Sequence, residues 1–210
     1  MRLNSSFFIR CLLMALFAVV PALIGVKAQL SIGAKAGLNA AKINFSNDLY
    51  STSTRKDLYA GLLFNYMVTS KIGIQTEMLY SREGTKEKFQ NGQSGEIRKA
   101  YLQIPVLLQY NIVGRLFAEA GPQIGFLLSS KEEFSGERDD IKQFYRSADL
   151  RLPVGIVYRF GNILQGLGIG ARYSFSLRHI NKEAVAGGEL RNVVFSAGIE
   201  YILPLAGDRN

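Results

Sequence analysis

Residues 167–178 read LGIGARYSFSLR, where Leu167, Ile169, Ala171, Tyr173, Phe175 and Leu177 alternate with Gly168, Gly170, Arg172, Ser174, Ser176 and Arg178. Side chains on a β-strand point alternately to its two faces, so this stretch has one apolar and one polar face. The same two-residue period recurs along the 210-residue chain and predicts strands near 31–41, 58–68, 71–81, 99–110, 116–128, 148–160, 167–178 and 192–203. Each is close to the length a tilted strand needs to cross the hydrocarbon of a bilayer. Beyond residue 28 no segment approaches the roughly 18 consecutive apolar residues of a helical span.

The connections carry a second pattern. Those at 69–70, 111–115 and 161–166 are short, whereas 42–57, 82–98, 129–147 and 179–191 are long and polar. Short and long alternate strictly, which predicts an all-β fold: an eight-stranded antiparallel up-and-down transmembrane β-barrel. Its outward sets, such as Leu58, Ala60, Leu62, Phe64 and Tyr66 or Ile72, Ile74, Thr76, Met78 and Tyr80, hold no charge. Loop length alone assigns the strand directions. Tyr66, Tyr110, Tyr158 and Tyr201 then fall at the short-turn rim, and Tyr80, Phe126 and Phe175 toward the long-loop rim. Two aromatic girdles are what a bilayer-spanning barrel needs at headgroup level. A soluble barrel would turn its polar face to water and enrich it in Lys and Glu, whereas the polar face here is mostly Gly, Ser, Asn and Gln.

Residues 1–28 read as a cleaved signal peptide: Arg2 and Arg10, an acid-free apolar run over 11–26, and Val-Lys-Ala before a cut between Ala28 and Gln29. The barrel domain is then 29–210, exported to the outer membrane of a Gram-negative bacterium. The single cysteine, Cys11, lies in that leader, so a disulfide framework and thiol chemistry are excluded from the mature chain. The net charge is +8, and Arg2, Arg10 and Lys27 leave with the leader. The mild excess that remains favours outer-membrane lipid headgroups and lipopolysaccharide as partners and does not imply nucleic acid.

An eight-stranded barrel is just wide enough for its own side chains to fill. The inward charges are Lys35, Arg151, Arg159 and Arg172 against Glu77, Glu119, Asp149 and Glu200, a balanced lumen. Height along the strands predicts Lys35 beside Glu200, Arg172 beside Glu200, and Glu119 beside Arg159. Such a network reads as a salt-bridged plug, with a polar relay or small conduit as the alternative. Pro105, Pro122 and Pro153 fall at mid-height in consecutive strands, where proline cannot donate to the ladder; bulges or a weakened seam are expected. Catalysis would require His179, the one histidine, to meet Ser174 or Ser176 and Glu183 or Glu189, which lie at different strand heights or in a loop. No cofactor, metal or phosphate-binding motif is present: loop acids Glu132, Glu133, Asp139 and Asp140 read as a solvated face, and neither Gly166–Gly170 nor Gly187-Gly188 opens a helix.

The segments IGAKAGLN (32–39), YLQIPVLLQY (101–110), AEAGPQIGFLLS (118–129) and DLRLPVGIVYRF (149–160) resemble the PorT-like family of small outer-membrane β-barrel proteins. The resemblance implies an eight-stranded barrel with no catalytic residues to carry over, and a place as an accessory to protein secretion. Three functions follow as expectations. The first is a monomeric, structural or protein-interaction barrel working through loops 82–98 and 129–147, where Phe89, Phe134, Phe144 and Tyr145 sit among mixed charges. The second is a narrow porin-like transport barrel. The third is an outer-membrane lipid-modifying enzyme.

Overall fold

The computed structural model describes residues 29–45, 51–88, 94–134, 137–182 and 189–205. Residues 1–28, and with them the proposed leader, lie outside that set, as do Phe89, Glu183, Gly187 and Gly188. Ten strands follow in order: β1 (Gln29–Phe45), β2 (Ser51–Met67), β3 (Ile72–Lys88), β4 (Ser94–Val113), β5 (Leu116–Ala120), β6 (Gln123–Phe134), β7 (Glu137–Asp140), β8 (Ala148–Arg159), β9 (Leu167–Ser176) and β10 (Leu190–Pro204). All pairings are antiparallel. β1 pairs with both β10 and β2, β3 pairs with β4, and β5 and β6 together bridge β4 to β8. The sheet therefore closes on itself as a ring of eight staves, with β5 and β6 forming one stave and β7 a short outer flap on β6.

Local chemistry sets the tight ends. Between β2 and β3, Thr69 Oγ1 accepts from the backbone N–H of Lys71 (3.2 Å) and Ile72 (2.9 Å), a hydroxyl-capped turn. Between β4 and β5 the chain reverses at Gly114, whose φ of +57° is open to glycine without strain. Asn111 Nδ2 donates to the Gly114 carbonyl at 2.9 Å and holds that turn.

Alternation sorts every stave in one sense. Leu38, Leu58, Met78, Leu108, Ile156, Ile199 and their period-two neighbours face outward and are exposed, whereas Lys35, Gln75, Glu77, Gln109, Arg151 and Glu200 are buried inside. At about 3.4 Å per residue and a tilt near 40°, the apolar stretch from Ile72 to Tyr80 covers about 20 Å of height, close to the band an outer membrane requires.

Three expectations change. The strands overrun the predicted loops: β3 extends to Lys88 and β4 begins at Ser94, so the loop predicted at 82–98 is mostly a ladder. The period of two continues there in polar residues, with Glu83, Thr85 and Lys99 inside and Arg82 and Lys86 outside, a pattern that hydrophobicity does not reveal. Loop 42–57 shortens likewise, with Arg55 and Asp57 turned inward. The prolines, finally, do not produce bulges, but two of them interrupt the ladder as a weakened seam would: β5 and β6 part at Gly121-Pro122, and β3–β4 pairing lapses between Thr76↔Val106 and Leu79↔Gln103, beside Pro105. Register is the same on both sides of Pro105, Pro122 and Pro153, and shifts instead near Thr54, Tyr101 and Asn111. Proline lacks the N–H but keeps its carbonyl, and each carbonyl is engaged: Val106 N–H donates to Pro122 (2.9 Å), Gly121 N–H to Pro153 (3.3 Å) and Thr76 Oγ1 to Pro105 (3.2 Å).

Candidate functional site

The lumen holds two polar layers beneath an apolar lid. In the layer nearer the short turns, Arg172 reaches across from β9. It donates to Glu77 through Nη1 (2.8 Å) and Nη2 (2.9 Å), and to Glu119 through Nε (2.9 Å) and Nη2 (2.6 Å). Lys35 Nζ sits 3.2 Å from Glu77 and 3.6 Å from Glu200, its register partner across the β1–β10 seam. Arg159 Nε donates to Glu200 at 3.1 Å, and its Nη2 to Gln75 (3.0 Å) and Gln109 (2.9 Å). Three cations thus face three carboxylates, with Asn65, Gln75 and Gln109 bonded among them. Burying ions out of water is costly, and this geometry offsets the cost by giving most polar atoms a charged or amide partner.

The second layer is centred on Arg151, which is fully buried. It donates to Glu83 through Nη1 (2.9 Å) and Nη2 (2.8 Å) and to Asp149 through Nε (2.6 Å), and lies 4.9 Å from the centre of the Tyr101 ring. Gln103 donates to Glu83, Ser176 to Asp149 (3.0 Å) and Asn192 to Asp149 (2.8 Å). A cavity of ≈ 20 Å³, lined by Lys35, Asn39, Tyr59, Gln103, Glu119 and Arg172 among others, is about one water in size.

Of the three neighbour pairs expected from strand height, Lys35 and Glu200 do meet. Arg172 binds Glu77 and Glu119 instead of Glu200, and Glu119 binds Arg172 instead of Arg159. Height counted along a strand ignores the stagger of a tilted barrel, which displaces partners across the lumen by several residues. Glu83 lies within the stretch predicted as loop 82–98, yet continuing the period of two from Glu77 through Ser81 reaches it.

Above the second layer, the segment predicted as the polar loop 129–147 folds back into the mouth. Ile141 and Tyr145 pack with Ile43, Ile97, Tyr101, Leu127, Ile180 and Leu190 in one buried apolar cluster. Backbone bonds pin the segment: Ile141 N–H to Ser130 O (3.0 Å), Arg146 N–H to Ile180 O (2.7 Å), Lys182 N–H to Phe144 O (3.0 Å) and Leu127 N–H to Ser147 O (2.8 Å). Lys99 Nζ lies 3.4 Å from the Tyr145 ring centre. Tyr145 is therefore interior, not a contact residue as expected from its loop, whereas Phe144 next to it is 55% exposed. Isolated apolar residues in a polar loop had a burial site in the mouth that sequence alone does not display.

On the outside, Tyr66, Tyr110, Tyr158 and Tyr201 lie near the short-turn ends of their strands. Tyr80 and Phe126 share the ladder level of Leu102, and Phe175 pairs with Leu152. His179 Nε2 lies 2.8 Å from Arg146 Nη2, and its Nδ1 3.9 Å from Glu189. Ser174 and Ser176 are buried in the lumen. The structure does not bring this histidine and these serines together.

A family profile described as outer membrane protein beta-barrel domain matches residues 26–182. No curated protein matches the chain. Among solved structures, Neisserial surface protein A is 13% identical, with 83% of this chain and 97% of that chain covered at a TM-score of 0.50. Ail of Yersinia pestis is 13% identical, covering 82% and 98% at 0.45. OprG of Pseudomonas aeruginosa is 16% identical, covering 84% and 96% at 0.41. At such identities the likeness to Neisserial surface protein A is one of fold.

Proposed function

We propose that this chain, which belongs to the outer membrane protein beta-barrel domain family and so is a small β-barrel of the Gram-negative outer membrane, is a plugged, monomeric barrel that works through its outer end as a structural or protein-interaction component. The supporting observation is the lumen's filling among the described residues: two buried ionic layers, a cavity of ≈ 20 Å³ beside Arg172, and an apolar lid above them. Its contact surface is then the long-loop end, including the exposed Phe144 and the β7 flap (Glu137–Asp140). Residues 1–28 act as its export signal, removed before Gln29.

The narrower role is that of an accessory to protein secretion, supported by the PorT-like segments at 101–110 and 149–160. The test of contact places a photo-crosslinking amino acid at Phe144 in living cells, with Leu108 in the lipid belt as the control. A protein adduct at Phe144 and lipid alone at Leu108 is expected; no protein adduct at Phe144 overturns the interaction role. Deletion of the gene followed by comparison of the secretome tests the narrower role, and an unaltered secretome refutes it.

A further inference from the structure

Beside the lid, on the outer wall of the ring, an open cleft of ≈ 400 Å³ runs where β6 and β8 meet the segments 146–148 and 178–182. Its floor is apolar. Ile124 and Leu150 are register partners and face outward, 36% and 43% exposed. Leu150 lies between Leu152, the partner of Phe175, and Ala148, the partner of Phe126, which sets the floor at the outer aromatic girdle.

The wall above is basic, with Arg146, Arg178, His179 and Lys182. Arg146 is held in place by Nε donating to Asn181 O (3.1 Å) and by its backbone N–H on Ile180 O (2.7 Å). Among the described residues no carboxylate pairs with Arg146, Arg178 or Lys182; Glu189 lies 3.9 Å from His179 and 3.3 Å from Arg191. Asp149 also lines the cleft, but its carboxylate is turned into the lumen on Arg151, Ser176 and Asn192.

A second rim cleft, ≈ 290 Å³ beside Tyr80, is a built-in contrast. Its arginines are neutralised: Arg98 by Glu96 (3.0 Å) and Glu133 (3.1 Å), Arg138 by Glu133 (3.1 Å), and Arg82 by Asp57 (3.3 Å). The two clefts differ in charge compensation.

We propose that the cleft of Arg146, Arg178 and Lys182 above Ile124 and Leu150 binds an outer-leaflet lipid whose headgroup is an anionic phosphate monoester. The headgroup phosphate takes the guanidinium and ammonium groups, and an acyl chain lies down the Ile124–Leu150 face. Cations that have no carboxylate partner among the described residues attract an anion at a membrane interface; Arg146 spends Nε on Asn181 O and Nη2 on His179 Nε2 (2.8 Å), which leaves Nη1 with Arg178 and Lys182 to meet phosphate oxygens. The order of charge above grease matches an amphiphile, whereas a free anion would leave the apolar floor uncovered. This site does not depend on whether the lumen conducts.

The test is native mass spectrometry of the purified barrel in detergent with an equimolar mixture of dioleoyl phosphatidic acid and dioleoyl phosphatidylcholine. The wild type is expected to retain phosphatidic acid preferentially. Arg178→Gln/Lys182→Gln, two exposed positions, is expected to lower that retention roughly thirtyfold, for two basic residues at about 1 kcal/mol each near an anionic surface, while heat-modifiable mobility on gels stays unchanged. Arg82→Gln/Arg138→Gln in the compensated cleft is expected to retain the lipid. Equal retention by the first variant, equal loss from the second, or retention of inorganic phosphate as strong as that of the lipid would each overturn the proposal.

Discussion

Arg172 is the residue whose removal most sharply tests the ionic plug. Its guanidinium makes four hydrogen bonds to Glu77 and Glu119, between 2.6 and 2.9 Å, and both acids are buried. Arg172→Leu leaves Glu77 with Lys35 (3.2 Å) and Gln75 (2.7 Å), so that carboxylate stays compensated. Glu119 keeps Gln109 (3.1 Å) among the described residues and becomes a buried, uncompensated anion. Deleting one partner of a buried pair costs about 3–5 kcal/mol. With a urea slope of about 2 kcal/mol/M, the unfolding midpoint should fall by roughly 2 M. The chain has no tryptophan, so circular dichroism and heat-modifiable gel mobility in lipid vesicles are the suitable probes.

Arg172→Leu/Glu119→Gln supplies the decisive control. It returns the layer to two cations, Lys35 and Arg159, facing two carboxylates, Glu77 and Glu200. Most of the lost stability should return, giving a coupling of about 2 kcal/mol or more in the double-mutant cycle. An unchanged midpoint for Arg172→Leu, or a double variant as unstable as the sum of its parts, would refute the reasoning.

Other outcomes follow from the same geometry. Glu200→Leu should cost less than Arg172→Leu, about 2 kcal/mol or roughly 1 M in midpoint, because Glu200 Oε2 has no hydrogen bond and Lys35 keeps Glu77; a larger loss contradicts the layer's wiring. Gly198→Ala places a Cβ 2.3 Å from Ala36 O and 2.5 Å from the Tyr59 hydroxyl and should cost about 1–3 kcal/mol. Gly125→Ala, with its nearest atom at 3.4 Å, should be close to neutral, and equal effects by urea titration would dismiss the close packing of β1 on β10. Tyr145→Ala should cost about 3 kcal/mol locally, read as faster protease cleavage within 137–147 while the barrel keeps its gel mobility; unchanged cleavage would remove Tyr145 from the lid. N-terminal sequencing of the mature protein should begin at Gln29, and a start at Met1 would contradict the export signal.

How much of this was legible follows from what carries each feature. Faces are a local property: Arg172 and Ser174 point inward because they alternate with Ala171, Tyr173 and Phe175, and no distant residue is needed to see it. Stave count and direction were equally legible, because the period of two and the alternation of short and long connections are both written along the chain. Partnership across the lumen is not local. Arg172 meets Glu77, ninety-five residues away, through a stagger the period of two does not encode, so the pairs expected at equal height were replaced. Glu83 lay hidden because hydrophobic alternation fades where the ladder leaves the bilayer while its geometric alternation persists. The lid was the least legible feature. Ile141, Tyr145, Ile180 and Leu190 are separated by polar residues, and the closed mouth alone gives them a common burial site.

Single-channel recording of the purified wild-type barrel in planar bilayers reaches the central claim most directly. Two ionic layers and an apolar lid in series predict a silent membrane, and silence again after Tyr145→Ala, because the ionic layers below still fill the lumen. Discrete, reproducible conductance steps from the folded wild-type protein would contradict the plug and make the barrel a pore.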